Sequence, residues 1–130
     1  MQVRKNAAAC IREIAKHSND LASIIVHYGG PGAIVEYLKE CSGSARLPGI
    51  KTLGFISAFD ETLALAVIAA KGIEPLKDAL ISEPEDEIKA SSAWSLGQIG
   101  KHSSDHAKQL AEADVPSRLL AVQIFNFIIH

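Results

Sequence analysis

Apolar residues recur along this chain in the three- and four-residue steps of a helix. The longest such runs are Val3 to Lys16, Ala45 to Ala58 and Asp86 to Lys101. In each, one stripe advances by i, i+3, i+6: Ala8, Ile11, Ile14; Ile50, Leu53, Ile56; and Ala93, Leu96, Ile99. Two shorter helical runs separate the long ones. Asp20 to Tyr28, Glu61 to Ala70 and Asp105 to Ala113 form one set; Ala33 to Cys41, Pro75 to Ile81 and Val115 to about Val122 form the other. Gly29-Gly30 and Gly72 close two of the first set, as glycine does where a helix end needs φ > 0. Pro31, Pro75 and Pro116 lie near the starts of the second set, where a missing N–H costs little. Ala15, Ser57 and Gly100 are small enough to let neighbouring helices approach. No alternating run of strand length competes, so the pattern is all-α.

The runs are copies of one another. Val3 to His17 aligns with Ile88 to His102 at an offset of 85 residues: Ala8 meets Ala93, Ile14 meets Ile99, and Lys16-His17-Ser18 meets Lys101-His102-Ser103. A middle copy lies at an offset of 42, pairing Arg4 with Arg46, Ile11 with Leu53, Leu21-Ala22 with Leu63-Ala64 and Gly30 with Gly72. An offset of 43 then connects the middle copy to the last. A period of 42 to 43 residues falls within the armadillo/HEAT range.

A short–short–long triplet with glycine between its first two helices resembles an armadillo repeat, and Ala93-Trp94-Ser95-Leu96-Gly97-Gln98-Ile99-Gly100 carries the strongest single match. The resemblance spans residues 1 to about 121 and implies an armadillo-type right-handed superhelical solenoid of three-helix repeats. Residues 1–18 are then the third helix of a preceding repeat, 19–59 and 60–103 are whole repeats, 104–122 is a further helix pair, and 123–130 is an atypical tail. That arrangement is expected of a slice through a longer array.

Composition narrows the function classes. The chain has 130 residues, 48% hydrophobic and 22% charged, which is too apolar for a disordered tail. A net charge of -2 supplies no positive field for nucleic acid or an anionic membrane. No apolar run reaches a bilayer-spanning length, and Met1-Gln2-Val3-Arg4-Lys5 does not open a signal peptide. Cys10 and Cys41 make neither a disulfide framework nor a zinc cluster. A soluble domain of a reducing compartment is expected, cytoplasmic and without cofactor.

A narrower resemblance rests on Val3-Arg4-Lys5-Asn6-Ala7-Ala8-Ala9-Cys10-Ile11-Arg12-Glu13-Ile14-Ala15-Lys16-His17, Arg46-Leu47-Pro48-Gly49-Ile50, Glu83-Pro84-Glu85-Asp86 with Ile88-Lys89-Ala90, and Leu96-Gly97-Gln98-Ile99-Gly100. These segments resemble the sperm-associated antigen six family. The resemblance implies a non-enzymatic scaffold in the central apparatus of motile cilia and flagella, with axonemal proteins as partners. The tail from Gln123 to His130 fits neither the family nor the repeat.

Armadillo solenoids bind along the groove lined by their third helices. Helical steps from Trp94 give Ser91, Trp94, Gln98 and Lys101 as groove-facing, with Asn6, Ala9, Glu13 and Lys16 in the first copy and Pro48, Lys51, Phe55 and Ala58 in the second. Asn6, Glu13, Lys51, Phe55, Trp94, Gln98 and Lys101 are the protein-binding candidates. Import adaptors of this fold hold basic extended peptides on ladders of Trp and Asn. Here one Trp stands alone, Gln98 replaces Asn, and Ala9/Glu13 and Lys51/Phe55 break the ladder, so a transport adaptor is the alternative reading. Two roles remain open for Trp94, packing between repeats and anchoring a partner.

Other features have plain structural readings. The repeated cation Arg4/Arg46/Lys89 reads as a helix-start or inter-repeat ion pair. Glu83-Pro84-Glu85-Asp86-Glu87 reads as carboxylates capping the helix that follows. His102 and His106 have the i, i+4 spacing of a metal pair but read as loop-surface residues without further ligands. No nucleophile elbow, phosphate loop or HExxH motif is present, and no enzyme activity is expected. Both ends cut across a repeat, so the uncapped ends are expected to self-associate.

Overall fold

A computed structural model of the chain describes residues 2–129, with side chains through Val122. Its elements are α1 (Gln2–Ala15), α2 (Asn19–His27), α3 (Gly30–Glu40), α4 (Leu47–Phe59), α5 (Glu61–Ala69), α6 (Ile73–Ser82), α7 (Asp86–Gly100), α8 (Ser104–Glu112) and α9 (Val115–Ile129). There is no strand among the described residues. α2-α3-α4 and α5-α6-α7 are successive short–short–long triplets, and α1 and α7 are the outer neighbours of α4. The fold is an armadillo solenoid. Helix bounds expected from the pattern hold within about three residues, apart from α9. Its backbone stays helical to Ile129 rather than stopping near Val122. The side chains of the tail, 123–130, lie outside the described residues.

The first helices start alike for one physical reason. Ser18, Asp60 and Ser103 all sit in extended backbone, and each side chain accepts from the N–H three residues on, at Leu21, Leu63 and His106. These caps share the repeat register, and Asp60 also accepts from Asn19 Nδ2 at 2.7 Å, joining the helix starts of adjacent triplets. The Leu63 N–H and then the Asn19 amide stabilise the ionised form, so the Asp60 carboxyl titrates below its ordinary value.

The turn that follows corrects one expectation. The left-handed residue is Gly29 in the first triplet (φ 81°), but Lys71 (φ 67°) in the second and Asp114 (φ 63°) next, all at one register position. Gly72 itself is right-handed. It is needed for space, since a Cβ there would stand 2.7 Å from Val67 Cγ1. Thus the expected φ > 0 holds at Gly29, while at Gly72 close approach is the constraint.

α4 begins at Leu47 because Pro48 belongs in a first helical turn, where its absent N–H leaves no bond unmade. A short 3-10 turn, Gly43–Arg46, precedes it. Arg46 Nε donates to the Cys41 carbonyl at 2.9 Å, and the Tyr37 hydroxyl donates to the Ala45 carbonyl. Of the three repeated cations, read as helix-start or inter-repeat ion pairs, Lys89 makes no ion pair among the described residues. The other two make inter-repeat ones: Arg4 meets Glu40, and Arg46 meets Asp78 at 3.2 Å and Glu83 at 3.4 Å. Glu83 is therefore not a cap. It is buried, and its carboxylate also accepts from the Gly43 N–H at 3.0 Å. Glu85, at the actual cap position of α7, makes no capping bond, and the other carboxylates of that stretch stay exposed in the first turn.

The core is one row of aliphatic side chains threaded through the triplets. Ile50, Leu53 and Ile56 of α4 and Ile88, Leu96 and Ile99 of α7 are wholly buried, together with Leu38, Val67, Leu76 and Leu80. Burying one such side chain stabilises the fold by roughly 1.5–3 kcal/mol.

Candidate functional site

α4 and α7 lie side by side along the groove face and form the most extensive helix pair of the molecule. Their approach is set by Gly54. A Cβ at that position would lie 2.5 Å from Ser95 Oγ and 2.8 Å from Trp94 Cε3, so only glycine admits the indole and the serine. Ser95 Oγ crosses the seam to donate to the Ile50 carbonyl at 2.8 Å, and that bond is buried. His102 Nε2 reaches the Ser57 carbonyl at 2.5 Å, fastening the far end of the same seam. The carbonyl can only accept, so Nε2 carries the proton.

Above this seam the indole of Trp94 meets the ring of Phe55 edge to face, with centroids 5.2 Å apart and planes at 71°. The pair runs diagonally across the groove, because the register equivalent of Trp94 in α4 is Lys51 rather than Phe55. The indole keeps 38% of its surface exposed. Both roles left open by its sequence are therefore met in geometry: it packs on the preceding triplet and it faces solvent. A cavity of about 350 Å³ opens here, lined by Lys51, Phe55, Ala90, Ser91 and Trp94. Its walls are mostly apolar, with the Lys51 ammonium 4.0 Å from Glu87 at the rim.

The groove candidates separate into two groups. Lys51, Phe55 and Trp94 converge on the cavity. Asn6, Glu13, Gln98 and Lys101 stand elsewhere along the third helices and do not line it. Asn6 is exposed and accepts from Gln2 Nε2 at 3.0 Å. Glu13 is exposed and pairs with Lys16 at 2.6 Å and Arg12 at 3.2 Å. Its carboxyl titrates below the ordinary value, chiefly through the Lys16 hydrogen bond and then the Lys16 and Arg12 charges. Gln98 is half-buried and Lys101 exposed. Pro48 is buried instead of groove-facing, because the first turn of α4 is tucked against α3. Ala90 and Glu87 are not among the sequence candidates. Ala90 lies one helical turn before Trp94 on the same face, and extending the stripe backwards reaches it.

Of the two histidines read as loop-surface residues, His102 does lie in the turn after α7, and His106 is instead buried in α8. His102 is half-buried and bonded across the seam, and His106 is buried with Nδ1 unpartnered. Among the described residues no group of three or more His, Cys, Asp or Glu side chains is placed to hold a metal ion. No helix among them is long and apolar enough to cross a membrane.

No family model matches the chain. Over 47 residues, 36% of its length, the chain is 47% identical to sperm-associated antigen 6 of Homo sapiens. It matches the Mus musculus protein of the same name to the same extent. The match covers 9% of each relative. Among solved structures, a designed armadillo repeat protein in complex with a (KR)4 peptide superposes with a TM-score of 0.84 over 89% of this chain and 48% of that one, at 19% identity. A second group, computationally designed armadillo repeat proteins for modular peptide recognition, gives a TM-score of 0.86 over 93% of this chain and 50% of that chain, also at 19% identity. At such identities the likeness is one of fold.

Proposed function

We propose, from the premise that this is an armadillo-repeat protein resembling sperm-associated antigen 6 over part of its length, that the chain serves as a non-enzymatic protein-binding scaffold in the axoneme of motile cilia and flagella, within the central apparatus. The observation that carries the binding role is the half-exposed Trp94 on Phe55 above the Gly54 seam. An aromatic held rigid by its neighbours and open on one side loses little entropy when a partner covers it. Lys51 and Glu87 at the rim offer that partner one charge of each sign. Asn6, Glu13, Gln98 and Lys101 extend the contact surface along the third helices.

A single aromatic rung favours docking of a folded or anchored partner over capture of a long basic peptide, which needs the rung repeated. The two readings separate in one experiment. The full-length protein is tagged in a flagellated cell, and partners are recovered with the wild type and with Trp94→Ala. Axonemal signal with partners lost in the variant supports the scaffold. Diffuse cytosolic or nuclear signal, together with tight binding of a (KR)4 peptide abolished by Trp94→Ala, would replace it with the transport adaptor.

A further inference from the structure

The cavity beside Trp94 has a one-sided charge. Among the described residues, Lys51 is the single charged one that lines it; the other walls are Phe55, Ala90, Ser91 and Trp94. α4 holds no acid, and Lys51 is its only charge. From Ala90 to Gly100 α7 is uncharged, so its acids, Asp86 and Glu87, lie about one turn or more before the cavity. The Glu87 carboxylate approaches Lys51 only to 4.0 Å, and both side chains reach water, which makes the pair weak. On the α1 side, Glu13 is already bound by Lys16 and Arg12. Lys101, about two turns beyond Trp94, adds an exposed cation. A cation brought against the indole therefore meets the Lys51 ammonium, whereas a carboxylate finds a partner there.

Size and shape select the rest of the occupant. A volume of about 350 Å³ is at the lower end for a ligand cavity, room for one bulky side chain and not for a folded surface. Phe55 and Trp94, fixed edge to face, give that side chain an apolar floor.

We propose that the cavity takes an acid-flanked apolar anchor: a phenylalanine-sized side chain of a partner protein seated on Trp94 and Phe55, with the carboxylate of an adjacent residue paired to Lys51. Lys51, on its flexible four-carbon stem, leaves Glu87 for the incoming carboxylate. The inference rests on the groove reading above and adds the sign of the partner's charge. It also sets this groove against one that holds basic peptides, because the position that carries a second aromatic rung in a ladder here carries a cation.

Three fluorescein-labelled peptides are titrated onto the chain at low salt and followed by anisotropy. The first has phenylalanine between two pairs of glutamates, the second has it between two pairs of lysines, and the third replaces phenylalanine with alanine in the glutamate frame. The first binds at least about tenfold more tightly than either of the others, and its binding weakens as salt rises. In unlabelled form it shifts the emission of Trp94, the one tryptophan of the chain, to the blue, which locates it on the indole. Lys51→Gln levels the preference between the glutamate and lysine frames and Lys51→Glu reverses it, while circular dichroism reports that both variants fold. Trp94→Ala weakens the first peptide by at least about tenfold. A lysine frame that binds the wild type as well as the glutamate frame, and through Trp94, would overturn the charge assignment and leave the groove reading standing. Binding of the first peptide that ignores Lys51→Glu or Trp94→Ala, or no binding of any of the three into the millimolar range, would overturn the inference as well. Partners that survive Trp94→Ala in the flagellated cell would remove the groove reading itself, and this inference with it.

Discussion

The seam between α4 and α7 and the seam between α1 and α4 are built on the same repeat register, yet they differ in what fills them. In the α4–α7 seam, Gly54 opens room for Trp94, Ser95 bonds the Ile50 carbonyl, and a cavity forms above Phe55. In the α1–α4 seam the equivalent positions hold Arg12 in place of Gly54 and Lys51 in place of Trp94. Arg12 turns to Glu13 there, and α1 keeps apolar side chains in solvent that α4 and α7 bury. One backbone plan therefore yields a dry, aromatic seam in one place and a charged, half-covered one in another. Repetition sets where helices lie; the individual side chains decide what each junction can hold.

The largest expected difference lies in the aliphatic row. Ile56→Ala empties a wholly buried site and is expected to cost about 2–5 kcal/mol, whereas Ile14→Ala at the same register position costs under about 1 kcal/mol because water already reaches it. Urea denaturation of the two variants measures this directly. Equal losses would mean that α1 is as well covered as α4.

Gly54 and Gly97 sharpen the contrast by having opposite signs. Gly54→Ala drives a methyl into the indole and Ser95, for a cost of about 1–3 kcal/mol. Gly97→Ala meets nothing and removes backbone freedom from the unfolded chain, for a gain of about 0.5–1 kcal/mol. Thermal melts of both at low protein concentration decide the matter, and a loss at Gly97 would show that its face is already covered.

The smallest effect concerns the caps. Asp60 ties two triplets together through Leu63 and Asn19, while Ser103 at the α8 end caps its own helix alone. Replacing Asp60 with alanine should cost about 1 kcal/mol at neutral pH. The native carboxyl titrates below its unfolded value, so its contribution is fully present above that ordinary value and fades as pH falls through the depressed one. The difference between wild type and Asp60→Ala should accordingly shrink in acid. A gap that held constant across that range would argue that only the neutral cap geometry matters.

Much of this architecture is legible in the amino-acid sequence. Apolar steps of three and four locate the helices, and the 42/43 register identifies the triplets, because each third helix must present the same stripe to its own helix pair. The misses share a cause. Glu83 reads as a cap and is a buried partner of Arg46; Pro48 reads as groove-facing and is buried; His106 reads as surface and lies in the core. A residue's place along one helix says which way it points, but its burial depends on what another triplet brings there.

The sequence by itself determined the all-α solenoid, its period and the single aromatic rung, since these follow from local helix geometry and repetition. Only the tertiary structure decided that Trp94 lies over Gly54 against Phe55, that Lys51 joins them while Asn6, Glu13, Gln98 and Lys101 do not, and which equivalent positions are covered. Those facts depend on contacts about forty residues apart in the chain, where a missing methyl on one helix makes room for a ring on the next.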